Sequence, residues 1–209
     1  MFLGYGEDAL TFWALNKIMS NILKDLEDQS KPSDCVVFYR PSFGRGGNSN
    51  AIFGEFDSIL ASLENTYLIE SKWDNHKRDA GKEIGLTPTQ ILRHKIFSWY
   101  YDNWNLGVRS WNALILKKID FREQFQYKDI APIGSLLAQN LEFVLDSLSK
   151  HYGTFSCKLG KLRNVILYFY DGNKSKEKKL QELKEEGIHF EIINIDYGKY
   201  GLNNFFRLL

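Results

Sequence analysis

The order of predicted helices and strands indicates an α/β protein with a mixed central β-sheet flanked by helices. A helix at residues 8–28 comes first, and three strands and a second helix follow it. A strand, a helix and another strand then occupy the last quarter of the chain. Helices that alternate with short apolar strands pack on the faces of one sheet. At 209 residues, the chain fits a single domain with a real hydrophobic core.

The first half of the chain supplies a helix and three strands. Apolar side chains recur at helical spacing in residues 8–28, which predicts an amphipathic helix. Cys35–Tyr39 is a short apolar run rich in β-formers, and the glycine-rich residues 40–50 are typical of a loop. Residues 53–74 then predict two strands joined by a turn, with the first strand ending on Glu55 and Asp57.

The second half predicts further helices and strands. Thr87, Pro88 and Gln90 form a capping-box pattern at the start of a helix that runs to about Trp104. Residues 106–163 are predicted to be a helical insertion within a single domain of residues 1–209. The remaining predicted elements are a strand at 111–116, a helix at 133–150, a buried strand at 164–170, a charged surface helix at 174–186 ended by Gly187, and a strand at 190–195.

Composition and charge limit the classes of function. The formal net charge is +1, so any nucleic-acid partner must be held by local basic clusters. Cys35 and Cys157 have no zinc-ligand spacing, and two lone cysteines favour a reducing, cytoplasmic location. We expect neither a signal peptide nor a membrane span, because acidic residues follow the start closely and no apolar run approaches about 20 residues.

The second of the two paired strands carries Glu70 and Lys72 within an apolar run. Side chains two residues apart on a strand share a face, so Glu70 and Lys72 are predicted to lie side by side, with Asp57 close on the neighbouring strand. Such a Glu-x-Lys pattern can also be a surface ion pair. Because the strand is apolar on both faces and therefore central, buried charges would be costly unless paired or bound to a metal.

The GEFD segment and the IESK strand, with the helix–strand order around them, resemble the PD-(D/E)XK nuclease superfamily. The resemblance covers roughly residues 8–104 and the strand at 164–170, although Phe56 stands where the name of the motif has proline. It implies a restriction-endonuclease-like core and a Mg²⁺-dependent nuclease, with Mn²⁺ as a substitute. It also implies that Asp57, Glu70 and the backbone carbonyl of Ser71 bind the metal, while Lys72 positions or deprotonates the attacking water.

The resemblance also implies that the substrate is DNA, most simply double-stranded DNA. An endonuclease that cuts both strands would act as a homodimer with one site per strand. Four basic residues, Arg40, Arg45, Lys77 and Arg78, are candidates for contacts with the nucleic-acid backbone. Two other functions remain open: a non-catalytic nucleic-acid-binding protein with the same fold, and a nucleotide-binding protein that uses the glycine-rich loop without a P-loop motif.

Several further residues have two interpretations each. Glu55 is either an additional metal ligand or a solvated strand residue. Gln90 is either a member of the site or only the capping residue of its helix. Glu7 and Glu27, at the two ends of the first helix, are candidates for one more acidic ligand because some members of the superfamily place one there.

Overall fold

Six strands form a central mixed β-sheet with helices on both faces, as the sequence predicted. The computed structural model describes residues 3–43, 54–74, 84–105, 110–126, 128–153, 159–173, 182–200 and 205–208. Its strands are β1 Leu3–Tyr5, β2 Val36–Tyr39, β3 Ser58–Ala61, β4 Asn65–Trp73, β5 Lys161–Tyr170, β6 Glu182–Glu185, β7 Ile188–Asp196 and β8 Phe205–Arg207. Its α-helices are α1 Gly6–Lys17, α2 Met19–Asp25, α3 Pro88–Asn105, α4 Trp111–Ile115, α5 Lys118–Gln124 and α6 Leu136–Gly153, and short 3-10 helices lie at Pro32–Asp34 and Tyr197–Tyr200.

The central sheet has the strand order β2-β3-β4-β5-β7-β6. Neighbours β2/β3, β3/β4 and β6/β7 are antiparallel, whereas β4/β5 and β5/β7 are parallel. The short strands β1 and β8 form a separate antiparallel pair. Strand β4 lies third in the central sheet and is buried over its first seven residues, so its polar side chains need internal partners.

Alternate residues of β4 face two different helical layers. Leu68 belongs to a core shared with α3, α4, α5 and α6. Tyr67 and Ile69 belong to a second core with α1 and α2 on the opposite face. This period of two assigns Glu70 and Lys72 to the α3 face of the sheet.

The predicted first helix is split in two at Ile18, whose φ of −125° leaves the helical region. Both halves still bury apolar residues against the sheet. The described residues between 106 and 163 include three helices, and the core on the α3 face draws side chains from each of them. None of the helices within the described ranges is long and apolar enough to cross a membrane.

Two predicted elements are wrong. Residues 111–116 form helix α4 rather than a strand: Ser110 caps the helix by accepting the Ala113 N–H, and the buried Trp111 and Leu114 have helical spacing. Residues 182–185 form strand β6 rather than the end of a helix, while residues 174–181 of that predicted helix lie outside the described residues. Glu186 and Gly187 both have positive φ, the conformation of a two-residue hairpin turn, so Gly187 closes a hairpin and does not end a helix.

Candidate active site

The carboxyl-terminal end of β4 extends past its antiparallel neighbour. Pairing of β3 with β4 reaches only to Ser58 opposite Ile69. Beyond that point, the N–H groups of Ser71 and Trp73 on this side of the strand are hydrogen-bonded to carboxylate side chains instead. Because the N–H and C=O of one strand residue point to the same side, the Ser71 carbonyl also faces this edge. The edge is where the candidate site lies.

Asp57 joins the two halves of the predicted motif. Its Oδ2 atom accepts a hydrogen bond of 2.6 Å from the Ser71 N–H. The prediction that Asp57 ends its strand is wrong, because β3 begins one residue later, at Ser58. Because Asp57 precedes the strand, its carboxylate lies along the edge of β4 and not on one face of the sheet. Burial, and then the nearby charges of Glu70 and Glu7, raise the pKa of Asp57 to about 7, although the Ser71 hydrogen bond opposes this.

Glu70 is 1% exposed and is held by three side chains of α3. Its Oε1 atom lies 2.8 Å from Arg93 Nη2 and 3.3 Å from His94 Nε2. Its Oε2 atom accepts a 2.9 Å hydrogen bond from Gln90 Nε2. Glu70 therefore has a charged partner, Arg93, within the protein.

Lys72 lies beside Glu70 on the α3 face, and its Nζ atom is 3.3 Å from Gln90 Oε1. Gln90 is also the capping residue, because Gln90 Oε1 accepts from the Thr87 N–H and Gln90 N–H donates to Thr87 Oγ1. The capping interpretation of Gln90 is confirmed, and the same side chain also contacts Lys72 and Glu70. The cap fixes the start of α3, and the same amide connects Lys72 with Glu70.

Glu7 is the third carboxylate at this edge. It lies in the first turn of α1, and its Oε2 atom accepts a 2.9 Å hydrogen bond from the Trp73 N–H. Burial raises the pKa of Glu7, while Lys72 and the Trp73 hydrogen bond oppose the rise. Of the two acidic candidates in the first helical segment, Glu7 is the one at the site. Glu27 follows α2 and lines a separate cavity with Arg163 and Glu191.

Glu55 and Arg40 form an ion pair at the rim of the site. Arg40 Nη2 lies 2.8 Å from Glu55 Oε2, and Arg40 Nη1 contacts Asp8. Glu55 is not within a strand but forms an isolated bridge with Ser42. Arg40 was predicted to contact phosphate and Glu55 to be an additional metal ligand. In this arrangement the two side chains bind each other. The other basic candidates, Arg45, Lys77 and Arg78, lie outside the described residues.

Arg93 and His94 contact Glu70 but were not predicted to be site residues. Arg93 also donates to the Glu55 carbonyl, and Gly54 leaves room for it, since a Cβ there would lie 2.9 Å from Arg93 Nη1. His94 is fully buried and its Nδ1 atom lies 2.7 Å from Asn164 Oδ1. Together with Gln90, these residues have the i, i+3, i+4 spacing of one helix face. That spacing was the available signal.

The donor set fits a hard divalent cation. Mg²⁺ prefers oxygen ligands, and Asp57, Glu70 and the Ser71 carbonyl supply them. Asp57, Glu70 and Glu7 lie within electrostatic reach of one another, so a cation would relieve their repulsion. Among the described residues, no cluster of three or more His, Cys, Asp or Glu side chains is arranged to hold a metal, so a bound ion would rely on the Ser71 carbonyl and water. One buried polar atom beside Glu70, Arg93 Nε, has no hydrogen-bond partner within the described part of the chain.

The edge of β4 therefore combines three carboxylates, one lysine and one buried arginine. Such a set can bind a cation and a phosphate oxygen side by side, because it offers both oxygen ligands and an ammonium donor. Comparisons of this chain with protein-family models, with curated proteins and with solved structures found no match.

Proposed function

We propose that this chain is a metal-dependent nuclease that hydrolyses phosphodiester bonds of DNA as an endonuclease, on a core of the PD-(D/E)XK type. The observation that carries the proposal is the hydrogen bond from the Ser71 N–H to Asp57. It joins the separate acidic residue to the middle of the Glu-Ser-Lys segment, where the proposed chemistry requires it. The central, buried position of β4 supports the proposal, because charges there are costly without a function or a partner.

Asp57, Glu70 and the Ser71 carbonyl would hold Mg²⁺ or Mn²⁺. The ion would lower the pKa of a bound water and offset negative charge on the phosphate. Glu7 adds a further carboxylate beside them and fixes the Trp73 backbone through its hydrogen bond. Because Glu7 is itself held by that bond, it supports the edge of the strand as well as contributing charge.

Lys72 would supply the positive donor of the reaction. Its Nζ atom can hold the attacking water or donate to a phosphate oxygen, and the Gln90 amide orients it. Arg93, on α3, balances the charge of Glu70 and holds its carboxylate in one orientation. The protein thus positions its reactive groups from three elements, namely β4, α3 and the segment before β3.

The test is cleavage of plasmid, single-stranded DNA and RNA, each with Mg²⁺, Mn²⁺ or EDTA. We expect metal-dependent cleavage by the wild-type protein. Asp57→Ala and Lys72→Ala should each lower the cleavage rate more than about 100-fold, because each removes a group at the reacting atoms. Loss of a residue that only contacts a metal ligand already lowers activity by about 10- to 100-fold. Gel assays under single-turnover conditions measure these rates.

The matched control variants make the same changes of charge at positions outside the candidate site. Lys95→Ala removes a lysine of α3 that pairs with Glu186 at the surface, and Asp146→Ala removes a carboxylate of α6. Both should cleave like the wild type. Equal cleavage by wild-type protein and by Asp57→Ala would contradict the proposed catalytic role.

A second candidate is a nucleic-acid-binding protein that retains this fold without catalysis. The observation that favours it is the saturation of Glu70 by Arg93, His94 and Gln90, which satisfies the carboxylate without a metal. Binding of labelled DNA together with no cleavage under any divalent ion would support this candidate. Arg93→Gln then tests the nuclease candidate. If the protein is a nuclease, this variant should change the metal concentration needed for half-maximal cleavage. If the protein only binds nucleic acid, neither the wild type nor the variant cleaves.

A further inference from the structure

An exposed aromatic surface lies on the small sheet formed by β1 and β8. Tyr5 is directly opposite Phe205 in this pair, and their rings are 5.5 Å apart. Tyr5 is 57% exposed and Phe205 is 60% exposed. The other face of the pair is closed, because a Cβ at Gly4 would clash with Ala9 and Leu208. Large apolar side chains that share one open face indicate a binding surface.

This surface adjoins the edge of the candidate active site from the α1 face of the sheet, through Trp73. The Tyr5 ring lies 5.8 Å from the Trp73 ring in an edge-to-face arrangement, and Trp73 immediately follows Lys72. The Trp73 N–H donates to Glu7, while its indole N–H donates to Tyr197 at 3.2 Å. Tyr5 itself is the N-cap residue of α1, two positions before Glu7. The three rings of Tyr5, Trp73 and Phe205, here called the aromatic platform, are therefore built on the same segments as the site.

We propose that the aromatic platform stacks the unpaired bases of a single-stranded stretch of the nucleic acid that enters the site. This inference rests on the proposed nuclease function and names its substrate class more narrowly. Within a duplex, each base face is covered by its neighbours, so exposed rings can stack only on bases of a single strand, a frayed end or a loop. The substrate would thus carry unpaired nucleotides next to the scissile phosphate.

The geometry favours bases over an aliphatic partner. The Trp73 ring is fixed by the hydrogen bond from its indole N–H to Tyr197, so it loses little conformational freedom when a ligand binds. Every base offers a π-face, so stacking on Tyr5 and Phe205 needs no particular sequence. The platform would hold the strand while Lys72 and the carboxylates act on the phosphate beside it.

The experiment measures binding of a fluorescein-labelled 15-nucleotide thymidine strand, and of a duplex of the same length, by anisotropy in EDTA. We expect the wild-type protein to bind the single strand more tightly than the duplex. Tyr5→Ala and Phe205→Ala should each weaken single-strand binding by about 5- to 100-fold, the usual effect of removing one stacking ring. Duplex binding should not change, and Tyr5→Phe should bind the strand like the wild type.

The matched control is Phe143→Ala. Phe143 is 67% exposed on α6, a helix that covers the opposite face of the central sheet. If Tyr5→Ala and Phe205→Ala bind the single strand as well as Phe143→Ala does, the inference is overturned. It is also overturned if sedimentation shows that Tyr5→Ala converts a dimer to a monomer with strand binding intact, because the surface is then a subunit contact. Thermal unfolding by circular dichroism identifies a variant that fails to fold, and the other alanine variant then decides.

A substrate without bases separates this inference from the proposed function. Hydrolysis of bis(4-nitrophenyl) phosphate with Mn²⁺ requires the carboxylates and Lys72 but not a stacked base. Tyr5→Ala should lose more of its strand binding than of its hydrolysis of this diester, because the diester has no base to stack. If the wild type does not hydrolyse either this diester or DNA, the nuclease proposal fails. The anisotropy series still decides whether the platform stacks bases.

Discussion

Two aspartates near opposite ends of β4, the buried Asp28 and the half-buried Asp57, have pKa values shifted in opposite directions. Near the amino-terminal end, Asp28 accepts hydrogen bonds from Ser62 Oγ at 2.6 Å, Asn65 Nδ2 at 2.9 Å and Tyr67 OH at 2.6 Å, and from the Ser30 N–H at 2.9 Å. Burial alone would raise the pKa of Asp28, but these donors together hold it well below its usual range. Asp28 is stabilised as an anion by the protein itself.

Asp57 lies near the carboxyl-terminal end of β4 and lacks such a set of donors. Its described hydrogen bond is to the Ser71 N–H alone, and Glu70 and Glu7 lie nearby. Burial and these like charges raise its pKa to about 7. Hydrogen-bond donors satisfy the charge of Asp28, which holds the fold together, whereas the crowded, half-buried Asp57 is left to take up either a proton or a cation.

Removing Asp28 tests the first half of the comparison and should have the largest effect on stability. Asp28→Ala leaves the buried Asn65 amide and Tyr67 hydroxyl without their acceptor and removes one of the two acceptors of Ser62, so the free energy of unfolding should fall by about 3–5 kcal/mol. Urea unfolding monitored by tryptophan fluorescence measures the change. The control is Asp25→Ala, an exposed aspartate at the end of α2, which should change stability by less than about 0.5 kcal/mol. A loss of under about 1 kcal/mol for Asp28→Ala would mean that the donors find water instead.

The pH dependence of stability tests the second half. The folded pKa of Asp57, about 7, exceeds its unfolded value of 3.8, so the folded protein holds a proton that the unfolded chain releases. This stabilisation is complete below about pH 4 and is lost as the pH rises to 7, which amounts to about 2–4 kcal/mol. Asp57→Asn should remove most of this slope, and the raised pKa of Glu7 should leave a smaller slope of the same sign.

The measurement is urea unfolding of both proteins between about pH 2 and 8 without divalent ions. Asp28 contributes with the opposite sign, since its lowered pKa stabilises the fold above the usual aspartate range and this contribution is lost as the pH falls. Asp57→Asn should therefore keep the loss of stability in acid. Parallel pH curves for wild type and variant would show that Asp57 ionises normally.

The smallest effect is expected at Gln90, which belongs both to a helix cap and to the site. Gln90→Ala and Thr87→Ala each break the capping box, so each should lower the free energy of unfolding by about 1 kcal/mol. Only Gln90→Ala also removes the contacts with Lys72 and Glu70. We expect its rate of DNA cleavage to fall about 10-fold, in the range of outer-partner losses, while Thr87→Ala cleaves like the wild type. Equal cleavage rates for the two variants would show that Gln90 serves only to cap helix α3.

Local patterns in the sequence predicted the sheet and its largest elements but not all of the site. The apolar run of β4 and the capping box of α3 are local signals, and both elements are present as predicted. Helix α4 and strand β6 were predicted wrongly because their short runs fit either period, and only packing decides between them.

The partners of Glu70 could not be predicted because they are distant along the chain. Arg93 and His94 reach Glu70 across more than 20 residues, and Asn164 reaches His94 across 70. Such contacts depend on how α3 crosses the sheet. Asp57 was recognised as a residue type, but its place before β3 rather than within it follows from where β3 begins to pair with β4.

The hydrogen bonds of Asn65 and Tyr67 to Asp28 also determine where the site can form. They anchor the start of β4, and Glu70 and Lys72 lie three to five residues beyond Tyr67. Deleting one residue between Tyr67 and Glu70 would move both charged side chains to the α1 face, because strand side chains alternate. Inserting two residues would keep the face but carry Lys72 past the reach of Gln90. Single-residue insertions and deletions in this short interval should therefore abolish the site even where the apolar composition of the strand is unchanged.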